Sequence, residues 1–325
     1  MPLKDKKIFL AGSTGLSGSS ILKYLLSNYT ETKIRASYLR TEPFIRHQNV
    51  EYVRGDLTLR SDCRRMVCGC DVAIMAAAVT GGAQTAVSAP WEQVSDNVAM
   101  DVQLLHAVYL EEVPRVVYVS TASVYQDFAG AIREDELDMN KEPHSAYMGV
   151  GWAKRYVEKL CRFWYEKSGL QVVIARASNI YGPFAKFDPA VSHFVPALIR
   201  KAVDRMDPFE IWGSPDVARD IIYGEDFARA IVLMMERGDL KFNIFNVGSG
   251  MKTTVGDAAT WALKHTAHCP EKVIYRQDQP TTVPFRALDC TNIREKLGWE
   301  TKYSPEEGVC KTVQWWIQNR DWWKK

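Results

Sequence analysis

Lys7-Ile8-Phe9-Leu10-Ala11-Gly12-Ser13-Thr14-Gly15-Leu16-Ser17-Gly18 decides the fold. An apolar run with strand propensity enters three glycines spaced Gly12-x-x-Gly15-x-x-Gly18, and apolar residues then recur at helical spacing at Ile21, Leu22, Leu25 and Leu26. The pattern predicts strand, tight turn, helix. Such a turn serves phosphate binding: Gly12 takes the turn, Gly15 lets the backbone approach a pyrophosphate, and Gly18 lets the helix lie close to the strand. Its place at the start of the chain, after a strand and before a helix, favours a dinucleotide site over an ordinary strand-turn-helix.

Working outward, 325 residues at 46% apolar and 25% charged are enough for one large α/β domain or a domain with a smaller lobe. A net charge of +2 without a basic cluster argues against nucleic acid as a partner. The seven cysteines (63, 68, 70, 161, 269, 290 and 310) are odd in number, and Cys68-Gly69-Cys70 lacks the second pair or histidine spacing of a zinc site. Reduced thiols and no metal are expected. No apolar run approaches the ~20 residues of a membrane span, so a soluble, cytoplasmic protein is expected.

Lys33–Leu39 and Val50–Arg54 read as the second and third strands, the latter ending in Gly55-Asp56-Leu57. The end of the second strand decides cofactor choice: a carboxylate holds a ribose 2′-hydroxyl, an arginine accommodates a 2′-phosphate. Here it reads Ser37-Tyr38-Leu39-Arg40, with no acid before Glu42, which favours NADP(H) through Arg40 and leaves NAD(H) open. Asp71–Ala78 is a buried fourth strand whose small Ala76, Ala77 and Ala78 leave room for a ligand. After Thr80-Gly81-Gly82 a helix is expected from about Pro90, with Val94, Val98, Val102, Leu105 and Tyr109 on one face. Asn97 within it is either a surface amide or a tie to the neighbouring strand.

Arg115–Ser120 is a fifth strand ending in Thr121-Ala122-Ser123-Val124-Tyr125, hydroxyls placed where open α/β sheets bind ligands. A helix capped by Ser145 is expected to carry Tyr147, Lys154, Tyr156 and Glu158, followed by a strand from Gln171 and the loop Ser178-Asn179-Ile180-Tyr181-Gly182-Pro183.

The glycine triplet, Gly55-Asp56-Leu57, Ser120–Tyr125, the lysine helix, Asn179–Pro183 and Arg219-Asp220 together resemble the extended short-chain dehydrogenase/reductases (the NAD-dependent epimerase/dehydratase type) that modify nucleotide sugars, over about residues 6–318. Within that family Ala76–Gly82, Phe187–Arg200 and Ile211-Trp212-Gly213 look most like the GDP-L-fucose synthase branch. The resemblance implies a doubly wound parallel sheet of Rossmann type with a smaller C-terminal lobe: residues 1–180 for the dinucleotide, 181–325 mainly for the substrate, the chain crossing back to the sheet.

It also implies residue roles. Gly12, Thr14, Gly15, Leu16, Gly18, Asp56, Leu57, Ala76, Ala77, Ala78, Asn97, Lys154 and Ile180 would border the cofactor. Thr121 would orient the reacting oxygen, a tyrosine would move its proton, and Lys154 would lower the tyrosine pKa and hold the nicotinamide ribose. Asn179, His193, Arg200, Trp212, Arg219 and Arg286 would meet the nucleotide sugar, the arginines suiting a diphosphate. A homodimer through the Pro90–Leu110 and Ser145–Glu166 helices is implied as well.

The sequence departs from this pattern at the tyrosine. The position four residues before Lys154 is Val150, whereas Tyr147 stands seven before it, roughly 10 Å of rise along an unbroken helix. Three readings are open. An irregular helix start or bulge around Gly149 and Gly151 returns Tyr147 to the site; Tyr125 or a substrate group is the acid; or cofactor and sugar nucleotide bind with little chemistry.

Ala122-Ser123 stands where the family's dehydratases carry an acid pair, which argues against a 4,6-dehydratase. Ser123 replaces the cysteine that the fucose synthase likeness implies, while His193 keeps the histidine. A serine is a poorer base than a cysteine, so reduction of a 4-keto sugar, with or without epimerisation through His193, is expected over double epimerisation. The alternatives are a C4 epimerase with tightly held NAD and a non-catalytic binding protein. The C-terminal tryptophans either pack on the lobe or form a contact surface.

Overall fold

The computed structural model describes residues 3–81, 90–188, 191–276 and 285–323. Gly82 of the Thr80–Gly82 loop, and Pro189 and Ala190 of the Phe187–Arg200 stretch, lie outside these residues.

Seven strands form the main sheet: β1 Lys7–Ala11, β2 Lys33–Tyr38, β3 Val50–Arg54, β4 Val72–Met75, β5 Arg115–Thr121, β6 Gln171–Ala177 and β7 Phe242–Val247. Their order is β7-β6-β5-β4-β1-β2-β3, and every neighbouring pair is parallel. The period-two alternation of side chains explains why both faces are apolar. Ile8 and Leu10 of β1 join Val117, Val173 and Ala175 on one face, while Phe9 joins Ala73, Val116, Tyr118 and Ile174 on the other. The first face is covered by α1 (Leu16–Asn28) and, later in the chain, the helix Gly224–Glu236. The second is covered by α2 (Arg60–Val67), α3 (Ser95–Leu110) and α4 (Met148–Ser168).

The third cluster belongs to the smaller lobe. It gathers α5 (Phe194–Val203), the helix Val255–Thr266 and the C-terminal helix Pro305–Trp323 around Phe187, Leu198, Ile199, Phe209, Ile211 and Trp316. Trp315, Trp316 and Trp323 pack there: Trp316 stacks on Phe187 at 4.0 Å between ring centroids.

Two expectations change. Residues 90–93 form a 3₁₀ turn, and α3 begins at Ser95. Its buried residues are Asn97, Asp101, Leu104, Leu105, Ala107 and Val108; of the expected stripe Leu105 is buried, Val94, Val98 and Val102 are half-buried, and Tyr109 lies 44% exposed against Trp164. Two polar residues are buried because each finds partners beneath the helix, as described below. Ser145 does not cap the lysine helix either. Ser145–Tyr147 is a separate 3₁₀ turn capped by the His144 ring, which accepts from the Ala146 N–H, and α4 starts at Met148.

Candidate active site

The carboxyl ends of β1, β2, β4, β5 and β6 open into one cleft of about 2080 Å³, lined by residues from both lobes. Ligand sites commonly measure about 300–1,000 Å³, so the cleft has room for two ligands rather than one.

At its floor lies the glycine turn. Gly12 has φ +76° and passes so close to the end of β4 that a Cβ would sit 2.7 Å from the Ala77 Cα. A Cβ on Gly18 would fall 2.1 Å from the Gly12 carbonyl oxygen, so the third glycine serves close packing of α1 on the turn. Thr14, Gly15, Leu16 and Ser17 line the cleft. Gly15 is the N-cap of α1, no side chain caps the helix, and its first turn holds no acid. A helix start presented in this way suits an anionic pyrophosphate. The donor set therefore fits a dinucleotide.

The neighbouring positions sort clearly. Ser37 is buried and spent on the turn, accepting from the Gly12 N–H through Oγ and from Ser13 through its carbonyl oxygen. Arg40 is exposed on the cleft wall. Ala76, Ala77, Ala78 and Ile180 also line it. Asn97 is the tie between α3 and the β4 loop: Oδ1 accepts from the Val79 N–H at 2.7 Å, and Nδ2 donates to the Val79 and Gln93 carbonyls. Gly12, Gly18, Asp56 and Leu57 do not reach the cleft wall among the described residues. Asp56 is occupied in its own turn, accepting from the Thr58 N–H and hydroxyl, and Leu57 is buried in the core under α2.

On the opposite side, Thr121, Ser123, Tyr147, Val150 and Lys154 share the wall. Thr121 Oγ1 donates to Ser123 Oγ at 3.3 Å and accepts from the Ser123 N–H, which fixes the two hydroxyls beside each other. Behind them runs a buried chain: Ser120 donates to Glu158, Arg176 binds the same carboxylate through Nε and Nη2, and Arg176 also donates to the Tyr125 hydroxyl. That hydroxyl donates in turn to Asn246 at 2.6 Å, and Tyr125 is fully buried. Tyr125 is therefore a structural residue, and the reading that made it the acid falls.

Lys154 is buried, with Nζ 3.0 Å from Asp101 Oδ2, 3.5 Å from the Val119 carbonyl and 4.7 Å above the Tyr118 ring centre. The helix around it is regular from Met148, so no bulge moves Tyr147 back along α4. The irregularity comes earlier: Tyr147 closes the 3₁₀ turn with φ −124°, ψ 14° and stands at the cleft ahead of the helix. Gly151 explains the glycines. A Cβ there would lie 2.6 Å from the Ser123 carbonyl oxygen and 2.5 Å from Pro143 Cβ, so α4 abuts the Thr121–Ser123 turn.

Asn179, two residues after β6, and His193, Arg200, Trp212 and Arg219 of the smaller lobe reach the same cleft. Asn179 donates to the Asp220 carbonyl, Arg200 to the Phe187 carbonyl and Asp204, and Arg219 to the Ala218 carbonyl. His193 opens on the cleft yet is crowded by protein; desolvation holds its pKa below the ordinary value, and the Lys186 charge pushes the same way. Desolvation also lowers the pKa of Arg219, with Arg286 adding to it and Tyr147 opposing, so these three side chains share one electrostatic neighbourhood. Arg286 is not on the cleft wall among the described residues; it pairs with Asp127 and covers the Phe128 ring at 5.0 Å.

The model of the NAD dependent epimerase/dehydratase family matches residues 8–248, from the glycine turn through the last strand of the sheet. The chain belongs to that family. Curated relatives of this family member include the probable GDP-L-fucose synthase 1 of Oryza sativa subsp. japonica, 26% identical with 97% of this chain and 93% of the relative covered. The GDP-L-fucose synthase of Escherichia coli is 23% identical over 98% and 99%. Among solved structures, the UDP-glucose 4-epimerase of Thermotoga maritima with UDP-glucose superposes with TM-score 0.84 at 24% identity, covering 97% of this chain and 99% of that one. The GDP-6-OMe-4-keto-L-xylo-heptose reductase of C. jejuni gives 0.83 at 17%, covering 98% and 99%. At these identities the structural likeness speaks for the fold.

Four contributors in this family member escaped sequence reading. Asp101 lies one turn after Asn97, a spacing that could have marked it. Phe44, Lys186 and Trp323 reach the cleft only through folding, and nothing local signals them. Among the described residues no cluster of metal-ligating side chains gathers, and no helix is long and apolar enough to cross a membrane.

Proposed function

We propose that the protein reduces a 4-keto nucleotide sugar, with GDP as the favoured nucleotide and NADP(H) as the favoured cofactor. The observation that carries this reading is the single cleft in which a phosphate-binding helix start, the Thr121–Ser123 hydroxyls, Lys154 and Tyr147, and the cationic wall of the smaller lobe all meet. The full-length likeness to GDP-L-fucose synthases supports the GDP-linked substrate.

A bound reduced nicotinamide supplies the hydride for C4. Thr14–Ser17 would receive the cofactor pyrophosphate, and Arg40, with Glu42 the first acid after β2, would face a 2′-phosphate. Lys154, anchored by Asp101, holds the ribose. With its hydroxyl turned from Ser123 to the substrate, Thr121 would donate a hydrogen bond to the 4-keto oxygen, and Tyr147 would deliver the proton that this oxygen takes up on reduction. Arg219 and Arg200 face the diphosphate, with Trp212 beside the base. His193 opens on the cleft, and desolvation by the surrounding protein, with the Lys186 charge, lowers its pKa, which favours its accepting a proton over its giving one. With serine at position 123 in place of a thiol, this leaves one epimerisation at most.

The test is a reaction with nicotinamide deuterated at C4. A reductase places deuterium at C4 of the sugar with one equivalent of cofactor oxidised; a C4 epimerase oxidises none.

A further inference from the structure

In the sheet, β1 lies between β4 and β2, so the loops that follow β4 and β2 flank the glycine turn on its two sides. With strands about 4.8 Å apart, those loops are roughly 10 Å from one another. One short segment of the smaller lobe reaches both. Phe184 stacks on Phe44 of the β2 loop, with ring centroids 4.8 Å apart. Two residues later, Lys186 Nζ donates to the carbonyl of Thr80 on the β4 loop at 2.7 Å. Between them, the Ala185 carbonyl accepts from Trp323 Nε1 at 2.8 Å. Trp323, from the end of the C-terminal helix, also meets the Phe44 ring edge-on at 4.6 Å and lies 5.3 Å from Trp315.

Phe184–Lys186 thus bridges the two loops over the carboxyl end of β1, and all of Phe44, Phe184, Ala185, Lys186 and Trp323 line the cleft. Phe184 adopts φ +70°, a conformation that a phenylalanine takes only when its surroundings hold it there. The aromatic contacts supply that hold.

We infer that Phe184–Lys186, clamped by Phe44, Thr80 and Trp323, is a roof over the dinucleotide pyrophosphate, and that its opening sets the rate of cofactor exchange. This rests on the dinucleotide reading of the glycine turn and is independent of the sugar. A dinucleotide lying on Thr14–Ser17 leaves only after the Phe44–Phe184 stack and the Lys186–Thr80 bond part. Trp315 and Trp323 acquire a role: they prop the roof from outside the sheet.

The experiment is a stopped-flow chase on the full chain. NADPH, and separately NADH, is bound and followed by energy transfer from tryptophan, then displaced with excess oxidised cofactor. Phe184→Ala, Trp323→Ala and Lys186→Met should each speed dissociation about tenfold or more, with far-UV circular dichroism unchanged. Phe44→Leu, on the opposite side of the stack, provides a second measure if Phe184→Ala does not fold, and should speed dissociation several-fold. Dissociation within twofold of wild type in every folded variant overturns the roof while leaving the dinucleotide reading intact. A wild-type protein that binds neither cofactor overturns both.

Discussion

Asp101 and Lys154 face each other across the α3–α4 interface as a buried ion pair, 3.0 Å from nitrogen to oxygen, and the Tyr118 hydroxyl donates to the same carboxylate oxygen at 2.8 Å. The aspartate replaces water around the lysine and fixes the direction in which its ammonium points. Removing one partner strands the other charge in a poorly solvated place.

Asp101→Ala should therefore destabilise the fold by about 3–5 kcal/mol. A double replacement, Asp101→Leu with Lys154→Met, should lose less than Asp101→Ala alone, because no charge remains unpaired. Urea unfolding of the variants, read as a cycle, checks both statements.

Val150 occupies the cleft wall one helical turn before Lys154, where the family tyrosine is expected, while Tyr147 stands ahead of the helix. A positioned general acid contributes about 10²–10⁴-fold. Tyr147→Phe should lower the reduction rate by that order. Adding Val150→Tyr should recover most of it, since a phenol then lies one turn from the lysine. Initial rates of the single and double variants decide this; a double variant as slow as Tyr147→Phe contradicts it.

Gly151 gives α4 its close approach to Ser123. Gly151→Ala forces a methyl group against the Ser123 carbonyl and Pro143, neither of which can swing away freely. A loss of about 1–3 kcal/mol is expected. Because the displaced backbone carries Thr121 and Ser123, turnover should fall more than cofactor affinity does. Denaturation and separate kcat and binding measurements test the two parts.

The His193 proton binds less readily in the folded protein than in an unfolded chain, first because the ring is desolvated and second because of Lys186. The folded state then carries fewer protons near the unfolded value of about 6.5. This contribution to stability is complete above that pH and is lost as pH falls through the lowered folded value. His193→Gln should flatten the decline of the urea midpoint between pH 7.5 and 5, and Lys186→Met should soften it without abolishing it. A decline as steep in His193→Gln as in wild type contradicts the assignment.

Much of the frame was legible because its signals are local. Lys7–Gly18 announces strand, turn and helix through apolar spacing and glycine positions, and the run Arg115–Tyr125 announces strand and hydroxyl turn in the same way. The face of α3 was misjudged for a physical reason. A valine stripe reads as core, yet Asn97 and Asp101 are buried beside Leu104, Leu105 and Val108, since Asn97 meets the Val79 loop and Asp101 meets Lys154. Tyr125 and Tyr147 show the same limit. Only folding reveals that one is locked to Asn246 and Arg176 while the other faces the cleft. Asp56 resembles a cofactor residue, but its carboxylate is engaged by Thr58 two positions on.

The central claim is reduction with Tyr147 as the proton donor, and the loss of NADPH or NADH absorbance on mixing with GDP-4-keto-6-deoxymannose tests it most directly, with Tyr147→Phe alongside. The account predicts oxidation by the wild-type protein, faster with NADPH than with NADH, and a fall of about 10²-fold or more in the variant. No oxidation with either cofactor, or a variant as fast as wild type, would contradict it.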